Sequence, residues 1–269
     1  MENREETRRR WDAAAEGWEA EHELVSAVSA PVTAALVAAL DPRPDDVVLD
    51  LAGGTGDLAE ALAGRVARIV ETDLSPVMVE AARKRGVANA EHRVMDMQAL
   101  DLPDASVDAV VSRFGYMLVP DPRLALRETR RVLRPAGTLA FATWAPAQRN
   151  PWATAYGPVL VERGLQEPPP PGEPGQFALS DPDEIKALVR SAGFAEVEVE
   201  EVPVEYRFGD WEDYRRVVTS LAASLRVTLE GLDAETRAEV DKGARGRIER
   251  FLGPEGYVLP GVALVTTAA

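Results

Sequence analysis

Cysteine is absent from the 269 residues, which removes disulfides, thiolate zinc sites and a cysteine nucleophile together. Histidine is nearly absent as well. His22 and His92 are the only two and stand far apart in the sequence, so no metal site is expected. Long apolar runs are missing too: the most apolar early stretch, 27–40, is short and interrupted by Pro31, and the N-terminus opens on charged residues rather than an apolar signal core. The expectation is a soluble, cytoplasmic protein with no membrane contact. Basic residues are in deficit, 30 Lys and Arg against 45 Asp and Glu, for a formal charge of −15. A surface of that sign repels phosphate backbones and gains nothing from counterion release, so a nucleic-acid partner is not expected. The run Arg8-Arg9-Arg10 reads as a solvated face of an otherwise acidic helix.

What is present is a globular composition, 46% hydrophobic and 28% charged. A chain of this length can bury roughly three quarters of its unfolded surface, enough for one large α/β core. Residues 4–26 read as a helix with Trp11, Trp18, His22 and Val25 on one face, and a second helix over 31–40 stops at Asp41-Pro42-Arg43-Pro44. Strands then alternate with helices. Strands are expected over 47–51, 68–72, 92–95, 107–112 and 138–144, the last following a turn at Arg134-Pro135-Ala136-Gly137. Helices are expected over 55–64, 76–85 and 122–133, with Ser75 capping the second. Such alternation implies parallel pairing through right-handed crossovers and hence a doubly wound sheet.

The second half is less regular. Residues 146–180, with Pro168-Pro169-Pro170-Pro171, read as a loop insertion, followed by a helix over 181–192 closed by Gly193. Val197 and Val199 alternate with glutamates, and the alternation resumes out of phase as Val202, Val204, Tyr206, Phe208. The slip at Glu200-Glu201 reads as a β-bulge, and Pro203 places the strand at a sheet edge. Amphipathic helices over 211–229 and 234–252 precede a last strand over 257–267. The expected organisation is one domain, 1–269: a helical cap (1–44), a cofactor-binding core (45–145), the loop insertion and a helical lid (209–253).

The most informative stretch is Asp50-Leu51-Ala52-Gly53-Gly54-Thr55-Gly56-Asp57, directly after the apolar run Val47-Val48-Leu49. A strand that ends in a glycine-rich turn and feeds a helix presents backbone N–H groups to a ligand. Acids follow at successive strand ends: Asp50, then Asp73, then Asp96, with Arg113 after the next strand. In an open α/β sheet these ends face one crevice. An acid about 20 residues after the glycines is also the dinucleotide signature. Here the third glycine is missing and Asp50 would set a negative charge beside the pyrophosphate, so the order of acids points to S-adenosyl-L-methionine.

The run from Val48 to Leu58 closely resembles the first motif of class I S-adenosylmethionine-dependent methyltransferases, in particular the group of ubiquinone/menaquinone C-methyltransferases. Four further matches follow in order: Asp73-Leu74-Ser75-Pro76 with Met78; Asp96-Met97-Gln98-Ala99-Leu100-Asp101-Leu102-Pro103; Ser106-Val107-Asp108-Ala109-Val110-Val111; and Arg131-Val132-Leu133-Arg134-Pro135-Ala136-Gly137. The resemblance covers about residues 5–145. It implies a Rossmann-like seven-stranded sheet whose last strand is antiparallel. It further implies that Asp50 and the turn of Ala52, Gly53, Gly54, Thr55 and Gly56 hold the amino-acid end of the cofactor. By the same resemblance Asp73, with Leu74 and Met78 nearby, takes the ribose hydroxyls, Asp96 with Met97 and Gln98 faces the adenine, and Arg113 and Phe114 line the methyl-donor end. Segment 114–119 keeps only the Phe-Gly of the quinone-enzyme pattern. Trp11-Asp12-Ala13-Ala14-Ala15-Glu16-Gly17-Trp18 looks like the aromatic cap of generic small-molecule methyltransferases, which places Trp18 at the cofactor.

Methyl transfer from a sulfonium asks the protein chiefly to align the nucleophile and exclude water. Where the acceptor needs a base, His22 is the candidate catalytic residue, because it shares a helical face with Trp11 and Trp18. Trp11, Tyr116, Met117, Trp144, Trp152 and Tyr156 are candidate acceptor-wall residues, and aromatic walls suit a flat or apolar acceptor. The expected function is methyl transfer to oxygen, carbon or nitrogen of a small, apolar or aromatic metabolite. The alternative is a cofactor-binding protein on the same fold without methyl transfer, cyclase-like or regulatory.

Overall fold

In the computed structural model β1 (Val47–Leu51) lies inside the sheet, with Val48, Leu49 and Leu51 fully buried, as its unbroken apolar run requires. The structure describes residues 4–168, 170 and 172–269, so the loop reading of Pro169 and Pro171 lies outside the described residues. Around β1 stand β2 (Arg68–Asp73), β3 (Ala90–Val94), β4 (Val107–Arg113) and β5 (Leu133–Trp144), all parallel. The sheet order is β3-β2-β1-β4-β5-β8-β6, where β6 is Val197–Phe208 and the last strand β8 is Gly256–Ala268. β8 runs antiparallel to both β5 and β6, and the two-residue β7 (Leu252–Gly253) pairs with its start. The doubly wound sheet with an antiparallel last strand is therefore present. Its reversal between β1 and β4 is the switch point at which such sheets bind ligands.

The helices are α1 (Arg4–Ala20), α2 (His22–Leu40), α3 (Asp57–Leu62), α4 (Pro76–Lys84), α5 (Pro122–Val132), α6 (Tyr156–Glu162), α7 (Pro182–Ser191), α8 (Trp211–Leu221), α9 (Ala223–Glu230) and α10 (Ala234–Ile248). Two apolar cores result. One joins α2, α3, α6, α8 and α10 to a sheet face, and the other joins α5 and α7 to the opposite face. Local chemistry sets the helix starts: the Ser75 hydroxyl accepts from the Met78 N–H at 3.1 Å with Pro76 next in line, and Asp181 caps α7.

Several expectations are corrected. The first helix breaks at Glu21, whose carboxylate pairs with Arg216 of α8, and α2 runs straight through Pro31. A helix of 19 residues tolerates one missing N–H bond when Val32 and Leu36 on its buried face are fully enclosed. By length and composition α2 is apolar enough to cross a membrane, yet it packs on β4, β5, β6 and β8 as a core helix. The turn at 134–137 is an excursion inside β5, where pairing jumps from Val107↔Leu133 to Ala109↔Thr138. Residues 146–180 are not all loop, because α6 buries Tyr156, Val159 and Leu160. The helix expected over 211–229 breaks at Ala222 into α8 and α9.

No bulge occurs at Glu200-Glu201. β6 pairs with β8 without a register shift from Val197↔Ala268 to Phe208↔Tyr257. Val197 and Val199 belong to one core, whereas Val202, Val204, Tyr206 and Phe208 belong to the other. The phase slip records a change in which face of the edge strand is covered, since odd and even residues of one strand point to opposite faces.

Candidate active site

The turn after β1 is built on left-handed backbone. Ala52, Gly54 and Gly56 have φ of 54°, 60° and 98°. Only Ala52 carries a side chain there, at a cost of order 1–3 kcal/mol. Gly53 is required for space: a Cβ would lie 2.6 Å from Glu71 Cγ and 3.1 Å from Asp50 Oδ2, whereas nothing stands within 4 Å of one on Gly54. The turn is tied to β2 by Gly53 N–H to Thr72 O at 2.9 Å and by Gly54 N–H to Asp73 Oδ2 at 3.1 Å. The other Asp73 oxygen accepts from the Ser75 N–H at 2.8 Å. Each oxygen keeps a lone pair free, so the carboxylate is oriented yet able to accept from a ligand. Burial pushes Asp73 up to about 6, against the pull of these N–H bonds.

Beneath the turn lies a buried acidic layer. Asp50 is fully enclosed and neither carboxylate oxygen has a hydrogen-bond partner. Burial, followed by the charge of Glu71, holds it well above the usual carboxylate range. Glu71 is pushed up to about 8 by burial and by Asp73, and His92 Nδ1 stands 2.9 Å from its Oε2.

A cavity of about 520 Å³ opens on the outer side of the turn and runs to an aromatic wall. Of the residues expected at the cofactor, Trp18, Ala52, Gly53, Gly54, Thr55, Asp73, Leu74, Met78, Asp96, Met97, Gln98, Arg113 and Phe114 line it. Asp96 Oδ1 accepts from the Gln98 N–H at 2.9 Å and its Oδ2 meets Arg4 at 3.2 Å. Arg113 donates to Thr33 at 2.8 Å and pairs with Asp57. Of the residues expected at the acceptor, Trp11, Met117, Trp144, Trp152 and Tyr156 line the cavity.

Four expected residues do not line it: His22, Asp50, Gly56 and Tyr116. The break at Glu21 turns His22 off the face of Trp11 and Trp18. Its Nδ1 lies 3.2 Å from Asp57 Oδ1 and its Nε2 2.9 Å from Arg85. Asp50 stands behind the turn, and Gly56, the last residue of the turn, faces Ala82 and Arg85. Tyr116 packs into the core on the other face of the sheet, its hydroxyl 2.6 Å from Thr129. His22, Asp57 and Glu60 offer ligand atoms within 4.8 Å of one another, and Arg85 and Arg113 pair with the two carboxylates of that group.

The wall is more aromatic than the sequence suggested. Phe114 stacks on Trp144 at 4.1 Å, Trp144 meets Trp152 edge-on at 5.0 Å, and Trp152 stacks on Tyr206 at 4.0 Å. Tyr206 and Phe208 come from the edge strand, Tyr214, Val218 and Leu221 from α8, and Leu225 from α9. The missed signal was present as the second phase of β6, which sends Val204, Tyr206 and Phe208 to one face. α1 crosses the opening: Trp11 meets Trp18 edge-on at 6.2 Å, and the Trp18 indole donates to Leu221 O at 3.2 Å.

These features fit S-adenosyl-L-methionine. An oriented carboxylate at Asp73 can accept from a diol, and the Gly54 side of the turn is open to a ligand. Residues 49–141 match the family described as methyltransferase domain. The chain is 36% identical over 169 residues to the ubiquinone/menaquinone biosynthesis C-methyltransferase UbiE of Caulobacter vibrioides, covering 58% of this chain and 64% of that one. It is 33% identical over 180 residues to the same enzyme of Acidiphilium cryptum, covering 60% and 71%. The chain thus spans just under two thirds of the first of these relatives. The YcgJ protein of Bacillus subtilis shares the fold, with a TM-score of 0.57 at 21% identity over 88% of this chain and 97% of that one. With its glycine turn, ordered acids and sheet order, the chain belongs to the class I S-adenosylmethionine-dependent methyltransferases, and its cofactor is S-adenosyl-L-methionine.

Proposed function

We propose that the protein transfers a methyl group from S-adenosyl-L-methionine to oxygen, carbon or nitrogen of a small, apolar or aromatic metabolite in the cytoplasm, without nucleic-acid or membrane partners. The observation that carries this is one continuous cavity with the glycine turn, Asp73 and Asp96 at one end and the rings of Phe114, Trp144, Trp152 and Tyr156 at the other. When bound, the cofactor supplies a methyl group activated on a sulfonium sulfur. In this reading Asp73 accepts from the ribose hydroxyls, and Asp96 with Met97 and Gln98 borders the adenine. The turn from Ala52 to Gly56 holds the amino-acid end, with Asp50 buried behind it.

Arg113 and Phe114 stand between the two ends. The pairing of Arg113 with Asp57 keeps its charge compensated, so it fixes the wall without repelling a cationic cofactor. The aromatic rings hold a flat acceptor and exclude water, and alignment of this kind is the main demand of an in-line displacement. His22, turned toward Asp57 and Arg85, is not carried forward as the base. The UbiE relatives favour methyl transfer over the cofactor-binding alternative. Purified protein is given S-adenosyl-L-methionine and a panel of phenols, quinones and amines. The expected result is S-adenosylhomocysteine release that depends on the acceptor; cofactor uptake without release across the panel would contradict methyl transfer.

A further inference from the structure

We propose that the Tyr206 hydroxyl selects and orients the methyl acceptor, and that this acceptor is a planar, uncharged aromatic ring carrying a hydroxyl or carbonyl oxygen. The proposal rests on the reading of the cavity as a methyl-transfer site and names the substrate class of its aromatic end.

The polar groups of that wall are almost all spoken for. The Tyr156 hydroxyl donates to Asp241 at 2.8 Å and the Tyr214 hydroxyl to Trp152 O at 2.9 Å. The Trp152 indole donates to Asn150 Oδ1 at 3.1 Å, and that oxygen also accepts from the Val262 N–H at 3.0 Å. Among the described residues, Tyr206 and Trp144 are the buried aromatic residues of the wall whose hydroxyl and indole N–H make no hydrogen bond to protein, and neither atom is fully enclosed, so both open to the cavity. Tyr206 is 6% exposed and lines the cavity, so its hydroxyl can be completed there by a ligand or by water.

Tyr206 is held for such a role. It stands on a regular stretch of β6, opposite Leu259 of β8, and its ring is stacked on Trp152 at 4.0 Å. A donor on a rigid element loses little freedom when it binds. Burial keeps its phenol above the ordinary value, so the group stays O–H and acts as donor rather than base. Its natural partner is an oxygen lone pair on the ligand.

Charge argues against a cationic acceptor. The cavity's carboxylates, Asp57, Asp73 and Asp96, belong to the cofactor end, and the aromatic end contributes none. Phe114 and Trp144 cover one face of each other, as do Trp152 and Tyr206, so the ring faces that an ammonium group would seek are partly used.

The test is calorimetric titration of wild-type protein and Tyr206→Phe, both saturated with S-adenosylhomocysteine, using 1-naphthol, naphthalene and benzyltrimethylammonium as probes. Wild type is expected to favour 1-naphthol over naphthalene by about tenfold. Tyr206→Phe is expected to bind the two equally while S-adenosylhomocysteine affinity stays unchanged. A preference that survives Tyr206→Phe, no preference in wild type, no uptake of either ring, or tighter binding of benzyltrimethylammonium would each overturn the proposal. The wild-type comparison stands even if the variant misfolds. Failure of wild type to take up S-adenosylhomocysteine is a different result, which defeats the methyl-transfer reading itself.

Discussion

At Gly53 the space for one methyl group is already filled by Glu71 and Asp50, both buried, so neither can swing aside. Gly53→Ala should cost about 1–3 kcal/mol of stability and weaken cofactor binding, as read by thermal unfolding and calorimetry. Glu71 itself titrates near 8 in the fold against an ordinary value of 4.5. Between those values the folded chain holds more protons than the unfolded one, so stability falls as pH rises through that window and is level on either side. Glu71→Gln should flatten this decline in unfolding midpoints measured from pH 5 to 8.5, leaving the parts due to Asp50 and Asp73, which are shifted in the same direction. An unchanged slope would show that Glu71 is ionised throughout. For His22→Ala, kcat should change less than about threefold with no altered pH profile between about 6 and 9, because loss of a true general base costs about 10²–10⁴.

At the scale of elements, α1 acts as a strap across the cavity. It is fixed by Arg4 to Asp96 at 3.2 Å, by Asp12 to the Ser75 hydroxyl at 2.6 Å and by Trp18 to Leu221. Gly17 lets it approach α8 so closely that a Cβ would lie 2.0 Å from Ser220 O, a backbone atom that cannot yield. Gly17→Val should therefore lift α1 from α8. The expected readouts are faster tryptic cleavage near Arg8 to Arg10 and weaker cofactor binding, with far-UV circular dichroism nearly unchanged.

The elements also show what could be read beforehand. Asp50, Asp73, Asp96 and Arg113 sit where strand-turn-helix alternation places them, because each depends only on its own strand end. Tyr206 and the α8 side chains were not legible as site residues. Their position depends on β8 inserting between β5 and β6, a pairing across more than a hundred residues for β5 that local pattern does not encode. The break at Glu21 misplaced His22 for a related reason, since its partner Arg216 is distant in sequence.

For the whole molecule, the two cores and the cavity join the first half of the chain, which carries the cofactor motifs, to a second half that supplies much of the acceptor wall. Cofactor at about 100 times its Kd should add about 2.7 kcal/mol to stability and raise Tm by roughly 5–10 °C. The most direct test is calorimetric titration of S-adenosyl-L-methionine into wild-type protein and Asp73→Ala. One site per chain in the wild type, weakened about 100-fold or more in the variant by loss of its charge-assisted bonds, is the predicted result. No uptake by the wild type, or equal affinity in both proteins, would contradict the account.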